Sequence, residues 1–218
     1  MIFDWGYAWN ILPQLGAALL VTLQATALGM MLALVLGLAL ALARRSRHRL
    51  VAWPAAAFVE FVRSTPLLVQ IFFLFYVLPD AGLRLSPLAT GITALGLHYA
   101  AYCSEVYRAG LEAVPRGQWE AAAALNLGRW RTLRAIVLPQ AIPPVLPALG
   151  NYLVAMFKDT PLLSAITVLE LLQTAKLIGS ETFRYVEPIT LVGALFLVLS
   201  LASAAAIRWT EQSLRLET

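Results

Sequence analysis

Two short stretches place ionisable residues inside otherwise apolar sequence. One is Glu60-Phe61-Val62-Arg63-Ser64-Thr65-Pro66, with Gln70 one turn beyond, and the other is Lys158-Asp159-Thr160-Pro161. Each ends in a Thr-Pro pair. A proline frees the carbonyl one turn earlier and bends a helix, which opens a polar niche in an apolar setting. Arg63, Thr65, Gln70, Lys158, Asp159 and Thr160 therefore offer both signs of charge beside hydrogen-bonding groups, the set that a zwitterion needs to cross or stop at such a place. The same sequence also fits a structural role, in which Glu60, Arg63, Lys158 and Asp159 pair among themselves. Both readings stand at this level.

Other chemistries are excluded by residue type. His48 sits in an arginine cluster and His98 in an apolar run, so there is no histidine pair at metal-ligand spacing, and no metal site is expected. Cys103 is the only cysteine, which rules out an internal disulfide or a thiolate cluster. Its setting, AYCSE, reads as a small core residue. A phosphate-binding P-loop needs Gly-Lys followed by Ser or Thr. Lys158 follows Phe157 and Lys176 follows Ala175, so that motif is missing. With no catalytic constellation, the chain is expected to be neither an enzyme nor the holder of a cofactor.

The elements that position these residues follow from composition. Of 218 residues 60% are hydrophobic and 13% charged, against about 45–50% and about 25% in soluble domains. Lipid is the solvent that such a chain requires. Its uncharged runs predict an all-α membrane protein, a single transmembrane domain over 1–218 with five spans at about 12–43, 51–78, 86–110, 145–172 and 188–208. Arg63 would then lie roughly 18 Å into its span, and Lys158-Asp159 at a similar depth. Glu105 is expected to pair with Arg108 one turn on.

Basic residues set orientation. Arg44, Arg45, Arg47 and Arg49 fall in the first connection. Arg108, Arg116, Arg129, Arg131 and Arg134 belong to the third connection and its flanks, and Arg208 and Arg215 to the tail. The opposite side holds Arg84, Lys176 and Arg184. The heavier side should be cytoplasmic, with the N-terminus outside and the C-terminus inside, as five crossings also demand. Trp5, Trp9, Trp53 and Trp209 fall next to span ends, where amphipathic rings prefer the interface. Topology explains the positive charge better than a nucleic-acid patch does. The leading residues, MIFDWGYAWN, lack the basic region of a cleaved signal peptide, so they are expected to belong to the mature chain.

The third connection is too long to be a simple turn. Helix–helix connections usually take 2–8 residues, whereas this one runs from about Leu111 to Pro144. Pro115 can start a helix, Glu120 to Leu125 is rich in Ala and Leu, and Asn126-Leu127-Gly128 offers residues that tolerate the left-handed conformation. A second helical run, Trp130 to Leu138, should stop at Pro139. Leu127, Trp130, Leu133 and Ile136 predict an apolar stripe beside Arg129, Arg131 and Arg134. The hairpin fits either an amphipathic element resting on the bilayer or a docking element for a soluble partner. The outer connection, Gln173 to Glu187, carries Lys176, Glu181, Arg184 and Glu187. It reads as a solvated loop or as a contact for a partner outside.

Glu120-Ala121-Ala122, then Asn126 and Gly128, then Ile136-Val137-Leu138-Pro139 resemble the EAA loop of ABC importer permeases. Asn126 stands where that family has glycine. Around the loop, VEFVRSTPLLVQIFF (59–73), AYCSEVYRAGLEAVPRGQWEAA (101–122) and FKDTPLLSAI (157–166) resemble the polar amino acid branch, which includes histidine, glutamate, glutamine, arginine, opine and some ectoine importers. The resemblance runs from about Leu12 to Trp209. It implies a type I importer transmembrane fold in the bacterial inner membrane, with residues 112–139 forming a cytoplasmic helix-turn-helix coupling loop. It also implies a second permease subunit, identical or paralogous, around a central path and an extracytoplasmic substrate-binding protein. Separate ATPase subunits would carry ATP and Mg and dock on Glu120, Ala121, Ala122, Asn126, Gly128, Ile136, Leu138 and Pro139. The alternative is a secondary transporter or channel driven by an ion gradient, which an inverted repeat would favour. No such repeat is evident.

Overall fold

The computed structural model describes the backbone of residues 3–215 and the side chains of residues 3–212. The charge assigned to the tail through Arg215, and the first two residues of the N-terminal reading, lie outside the described side chains. Among the described residues every regular element is helical.

Helix α1 (Trp5–Arg44) starts where the Asp4 carboxylate accepts the Tyr7 N–H at 3.1 Å, an N-cap that satisfies one of the free donors of the first turn. After a short turn, α2 (Arg49–Arg63) ends at the Thr65-Pro66 break. α3 (Leu67–Phe72) then runs through a π turn (Phe73–Val77) into a 3₁₀ turn (Leu78–Ala81). The two arms bend by 109°. α4 (Pro87–Glu112) forms the centre of the bundle, and α5 (Arg116–Ala124) and α6 (Arg129–Thr132) form the hairpin. A π turn (Leu133–Val137) leads into α7 (Leu138–Asp159) and a 3₁₀ stretch (Thr160–Ile166). α8 (Leu171–Thr182) and α9 (Val186–Arg215) complete the chain.

The expected count of five spans is wrong. Three helices are long and apolar enough to cross a membrane, Trp5–Arg44, Arg129–Ile166 and Val186–Gln212, or four if the bent pair Arg49–Arg63 and Leu67–Ala81 is one span. With three or four crossings, an outside N-terminus and an inside C-terminus no longer follow from the number of spans. The physical reason lies in what each helix faces. α4 has ample length, but α1, α2, α3 and α7 all pack on it. It meets protein on most sides and carries Thr90, His98, Tyr99, Tyr102, Ser104 and Glu105 where a lipid-facing helix would be apolar. An uncharged run marks a buried helix as readily as a spanning one.

A second correction concerns the prolines. The helix expected to stop at Pro139 continues, and Arg129–Ile166 is one helical run through Pro139, Pro143, Pro144 and Pro147. Pro139 falls at the start of α7, just past the π turn, where a missing N–H is tolerated. Gln140 Nε2 donates to Ile136 O at 2.7 Å and satisfies one carbonyl there.

α1 and α4 run parallel and very close. A Cβ on Gly37 would lie 2.7 Å from Cys103 Cβ and 2.9 Å from Ala100 O, so only glycine fits. α7 is antiparallel to α4: Gly110 meets Val145 near one end, and Gly91 meets Leu163 near the other. The main core lies between them, around Leu95, Tyr99, Cys103, Met156 and Leu163. A smaller core joins Leu15, Leu171, Ala175 and Ile178 between α1, α8 and α9.

Candidate functional site

Three places in this fold bring polar chemistry together. The first is an aromatic wall on α4 and α7. His98, Tyr99 and Tyr102 project from one face of α4 and meet Tyr152 of α7, with Tyr99–Tyr152 and Tyr102–Tyr152 centroids 6.1 and 5.6 Å apart. A charge stands at each end of the wall. At one end Tyr99 donates its phenol to Asp159 Oδ2 at 2.7 Å. At the other, the Arg63 guanidinium lies over the Tyr102 ring, 5.6 Å from its centroid, a cation–π contact.

Arg63 is held loosely. Its Nη1 is 3.4 Å from Glu105 Oε1, an oxygen already occupied by Arg44 Nη1 at 2.7 Å. Arg108 Nη2 takes the other oxygen at 2.7 Å, so the expected pair with Arg108 forms, and Arg108 also bridges to Glu112. In this cluster the three guanidinium groups of Arg44, Arg63 and Arg108 face the two carboxylates of Glu105 and Glu112. Arg63 is the cation with the weakest partner. Arg63 and Arg44 share one carboxylate, so Arg63 does not stand roughly 18 Å above the first connection as a straight span would place it. Arg63 comes before the bend, so the direction of α2 itself, which brings its end back to the level of Arg44, removes that rise.

The remaining residues singled out from sequence fall into different settings. Thr65 and Gln70 turn into the α2–α3 break, where Gln70 Nε2 donates to Thr65 Oγ1 at 2.7 Å. They also border a groove of about 270 Å³ whose other walls are apolar, among them Phe58, Phe61, Phe73 and Leu97. Thr160 is buried and its hydroxyl donates to Phe157 O at 2.7 Å, closing the end of α7. Lys158 is exposed, and among the described residues no carboxylate lies within ion-pair distance of it. Glu60 accepts only a long contact from Ser64 Oγ, at 3.5 Å. The four charges of the two stretches therefore do not pair with one another among the described residues.

Sequence reasoning missed the wall itself. Its signal was present in H-Y-A-A-Y, since Tyr99 and Tyr102 stand three apart and share a helix face. Glu170 was also missed. It is fully buried and caps α8, accepting from the Leu172 and Gln173 N–H groups at 2.9 and 2.7 Å. Among the described residues no cluster of His, Cys, Asp and Glu is arranged to hold a metal.

The second place is the hairpin. Asn126 takes the left-handed conformation at φ 50°. The Leu127 N–H reaches Ala122 O and the Asn126 N–H reaches Ala123 O, both at 3.0 Å, the paired bonds of a Schellman turn. Gly128 has an ordinary φ of −61° and opens α6. Ala122 is buried, and Val114, Val137 and Ala141 form a small core beneath the hairpin with Leu111 and Trp119 packed on it. Of the expected stripe, Leu127, Leu133 and Ile136 are half-buried, while Trp130 is 72% exposed, as is Leu125. Leu138 is half-buried, and Glu120, Ala121 and Pro139 are exposed. The outward face thus combines an acid, two large apolar side chains and the basic row Arg129, Arg131 and Arg134.

A third cluster fastens the opposite end of the bundle. Arg184 pairs with Asp4 and Glu187 and lies 4.4 Å from the Tyr7 ring centroid. Tyr7 OH is 2.8 Å from Thr182 Oγ1, whose own proton goes to Ile178 O, so the phenol is the donor. This places part of the outer connection in a clasp on α1 rather than in a free loop.

Comparison with known proteins gives this architecture its context. Residues 29–216 match the family described as binding-protein-dependent transport system inner membrane component. A probable amino-acid ABC transporter permease, y4tG of Sinorhizobium fredii, is 50% identical over 95% of this chain and 90% of its own length. The glutamine transport system permease GlnP of Escherichia coli is 33% identical over 99% of this chain and its whole length. A crystal structure of an amino acid ABC transporter with histidines superposes with a TM-score of 0.92 at 32% identity, over 98% of this chain and all of the other. The chain belongs to the inner-membrane components of binding-protein-dependent transport systems, a multi-pass inner-membrane permease subunit of an amino-acid ABC importer and not itself a catalytic enzyme.

Proposed function

We propose that this subunit passes a polar amino acid, or a related zwitterion such as ectoine, along the aromatic wall between Arg63 and Asp159. The observation that carries the reading is the placement of one loosely paired cation and one carboxylate at opposite ends of Tyr99, Tyr102 and Tyr152. A zwitterion offers its carboxylate to Arg63, the loosest cation of its cluster, and its ammonium to Asp159, displacing only one neutral phenol. Charged hydrogen bonds of this kind are roughly twice as strong as neutral ones. Lys158, exposed on the next position, supplies a second cation at the same end. Thr65, Gln70 and Thr160 support the path through the backbone.

Family membership implies the rest of the assembly: ATPase subunits, a second permease copy or paralogue, and an extracytoplasmic binding protein that delivers the solute. The single transmembrane domain docks the ATPase through residues 112–139, with Glu120, Ala121, Ala122, Asn126, Gly128, Ile136, Leu138 and Pro139 in the docking segment. Support comes from the exposed Leu125 and Trp130 beside Glu120.

Two experiments test this. Uptake by proteoliposomes holding the complete transporter is measured for Arg63→Gln and Asp159→Asn. Each should raise the half-saturating solute load or lower the rate about tenfold, and unchanged uptake in both would sink the path. Co-purification with the ATPase should be lost in Glu120→Arg. Vanadate-insensitive uptake would point instead to an ion-gradient mechanism.

A further inference from the structure

Pro66 has no N–H, and the carbonyl that it leaves without its helical donor is that of Val62. Gln70 fills the gap. Its Nε2 donates to Val62 O at 2.8 Å and Thr65 O at 3.1 Å, with Thr65 Oγ1 at 2.7 Å. Both carbonyl oxygens only accept, so the amide nitrogen must face the break and Oε1 must face α4. There Oε1 lies 3.1 Å from His98 Nδ1. An amide oxygen also only accepts, which fixes the His98 proton on Nδ1. His98 is 9% exposed, and its ring packs on Tyr99 and Tyr102 at centroid distances of 5.4 and 5.1 Å.

We infer that His98 is a positioning residue for transport: its Nδ1–H holds Gln70, Gln70 holds the bend between α2 and α3, and the bend sets Arg63 over Tyr102. The chain of contacts is continuous from α4 to the break and back to α4. Without the His98 donor, the half-buried Gln70 oxygen is left without its partner, the amide turns to find one, and Val62 O keeps only the longer contacts from Thr65 Oγ1 and N–H, at 3.3 and 3.4 Å. α2 is then free to swing, carrying Arg63 with it. This rests on the reading of Arg63 as a solute contact, and it adds a residue that never touches the solute.

The test uses the complete transporter in proteoliposomes. His98→Asn keeps a donor close to the Nδ1 position, His98→Phe keeps a ring without one, and Gln70→Leu removes the other partner. Transport at saturating delivery should stay within about twofold for His98→Asn. It should fall about tenfold for His98→Phe and for Gln70→Leu, the scale of one hydrogen bond. The double variant should be no slower than either single one. Losses that multiply in the double variant, or an Asn variant as slow as the Phe variant, overturn the proposal. A second measurement needs no substitution: ¹⁵N spectra of histidine-labelled protein should show His98 as the Nδ1–H tautomer, and an Nε2–H tautomer overturns the strut directly. If Arg63→Gln and Asp159→Asn leave uptake unchanged while the tautomer and the non-additivity hold, the solute path fails and the strut stands.

Discussion

The Tyr99 hydroxyl donates to Asp159 Oδ2 at 2.7 Å, so the acid at the end of α7 is held by a neutral donor on α4 and not by the adjacent Lys158. Tyr99→Phe keeps the ring and removes the proton. A hydrogen bond to a charged group contributes about 1.5–3 kcal/mol, so the variant should melt earlier in detergent and import more slowly. Equal melting temperatures and equal uptake for the two proteins would show that the contact has no energetic weight.

Glu105 joins three helices, accepting from Arg44 of α1, from Arg63 of α2 and from Arg108 on its own helix. Glu105→Gln leaves these guanidinium groups facing a neutral amide. The site is partly exposed and solvent screens it, so the expected loss is about 1–2 kcal/mol, below the figure for a fully buried pair. Thermal unfolding in nanodiscs measures it. A double variant with Arg44→Met should lose less than the sum of the single variants, because both remove the same contact.

Asn126 occupies a left-handed turn that an asparagine enters at small penalty and a glycine at none. Asn126→Gly should leave ATPase coupling intact. Asn126→Val should strain the turn by about 1–2 kcal/mol and lower the ATP hydrolysis stimulated by loaded binding protein. A marked loss of coupling in the glycine variant would contradict the role of the turn.

The clasp at the opposite end should open in acid. The Tyr7 N–H, the largest influence, and the Arg184 guanidinium hold the Asp4 carboxyl below its ordinary value of 3.8. A depressed carboxylate stabilises the fold above its unfolded value and loses that contribution as the pH falls through the lower, folded one. The protection of the amides of residues 4–8, with the intrinsic pH dependence of exchange divided out, should therefore be constant from neutral pH down to about 4 and fall below it. Asp4→Asn should show low protection throughout, and a fall in protection that persists in that variant would place the transition elsewhere.

Much of this was legible in the residues. The helical character, the lipid setting and the structured hairpin follow from local pattern, because propensity, capping and apolar runs act over a few residues. The left-handed Asn126 was readable for the same reason. What failed depended on neighbours. A run without charges does not say whether lipid or protein surrounds it, so α4 was counted as a span when four other helices cover it. Proline reads as a stop, yet Pro139 follows a π turn that had already shifted the hydrogen bonding. A count along the helix gives the length of α2 up to Arg63 but not its direction, and α2 ends beside Arg44 at Glu105 instead of rising away from it. The wall of tyrosines needed α7 to meet α4, a pairing that spacing on one helix does not contain.

The unbroken helical run from Arg129 to Ile166 has a mechanical consequence. The second arm of the hairpin and Asp159 are two points on one rod, about 45 Å apart at the usual rise per residue. No loop lies between them to absorb a displacement, so each degree of tilt at the hairpin moves the acid by roughly 0.8 Å over that length. Pro143, Pro144 and Pro147 each remove a rung about midway between Arg129 and Asp159, and they set where the rod yields. The rod thus yields at its middle and keeps two stiffer arms, one leading from the hairpin and one beside the tyrosines, the build of a jointed crank.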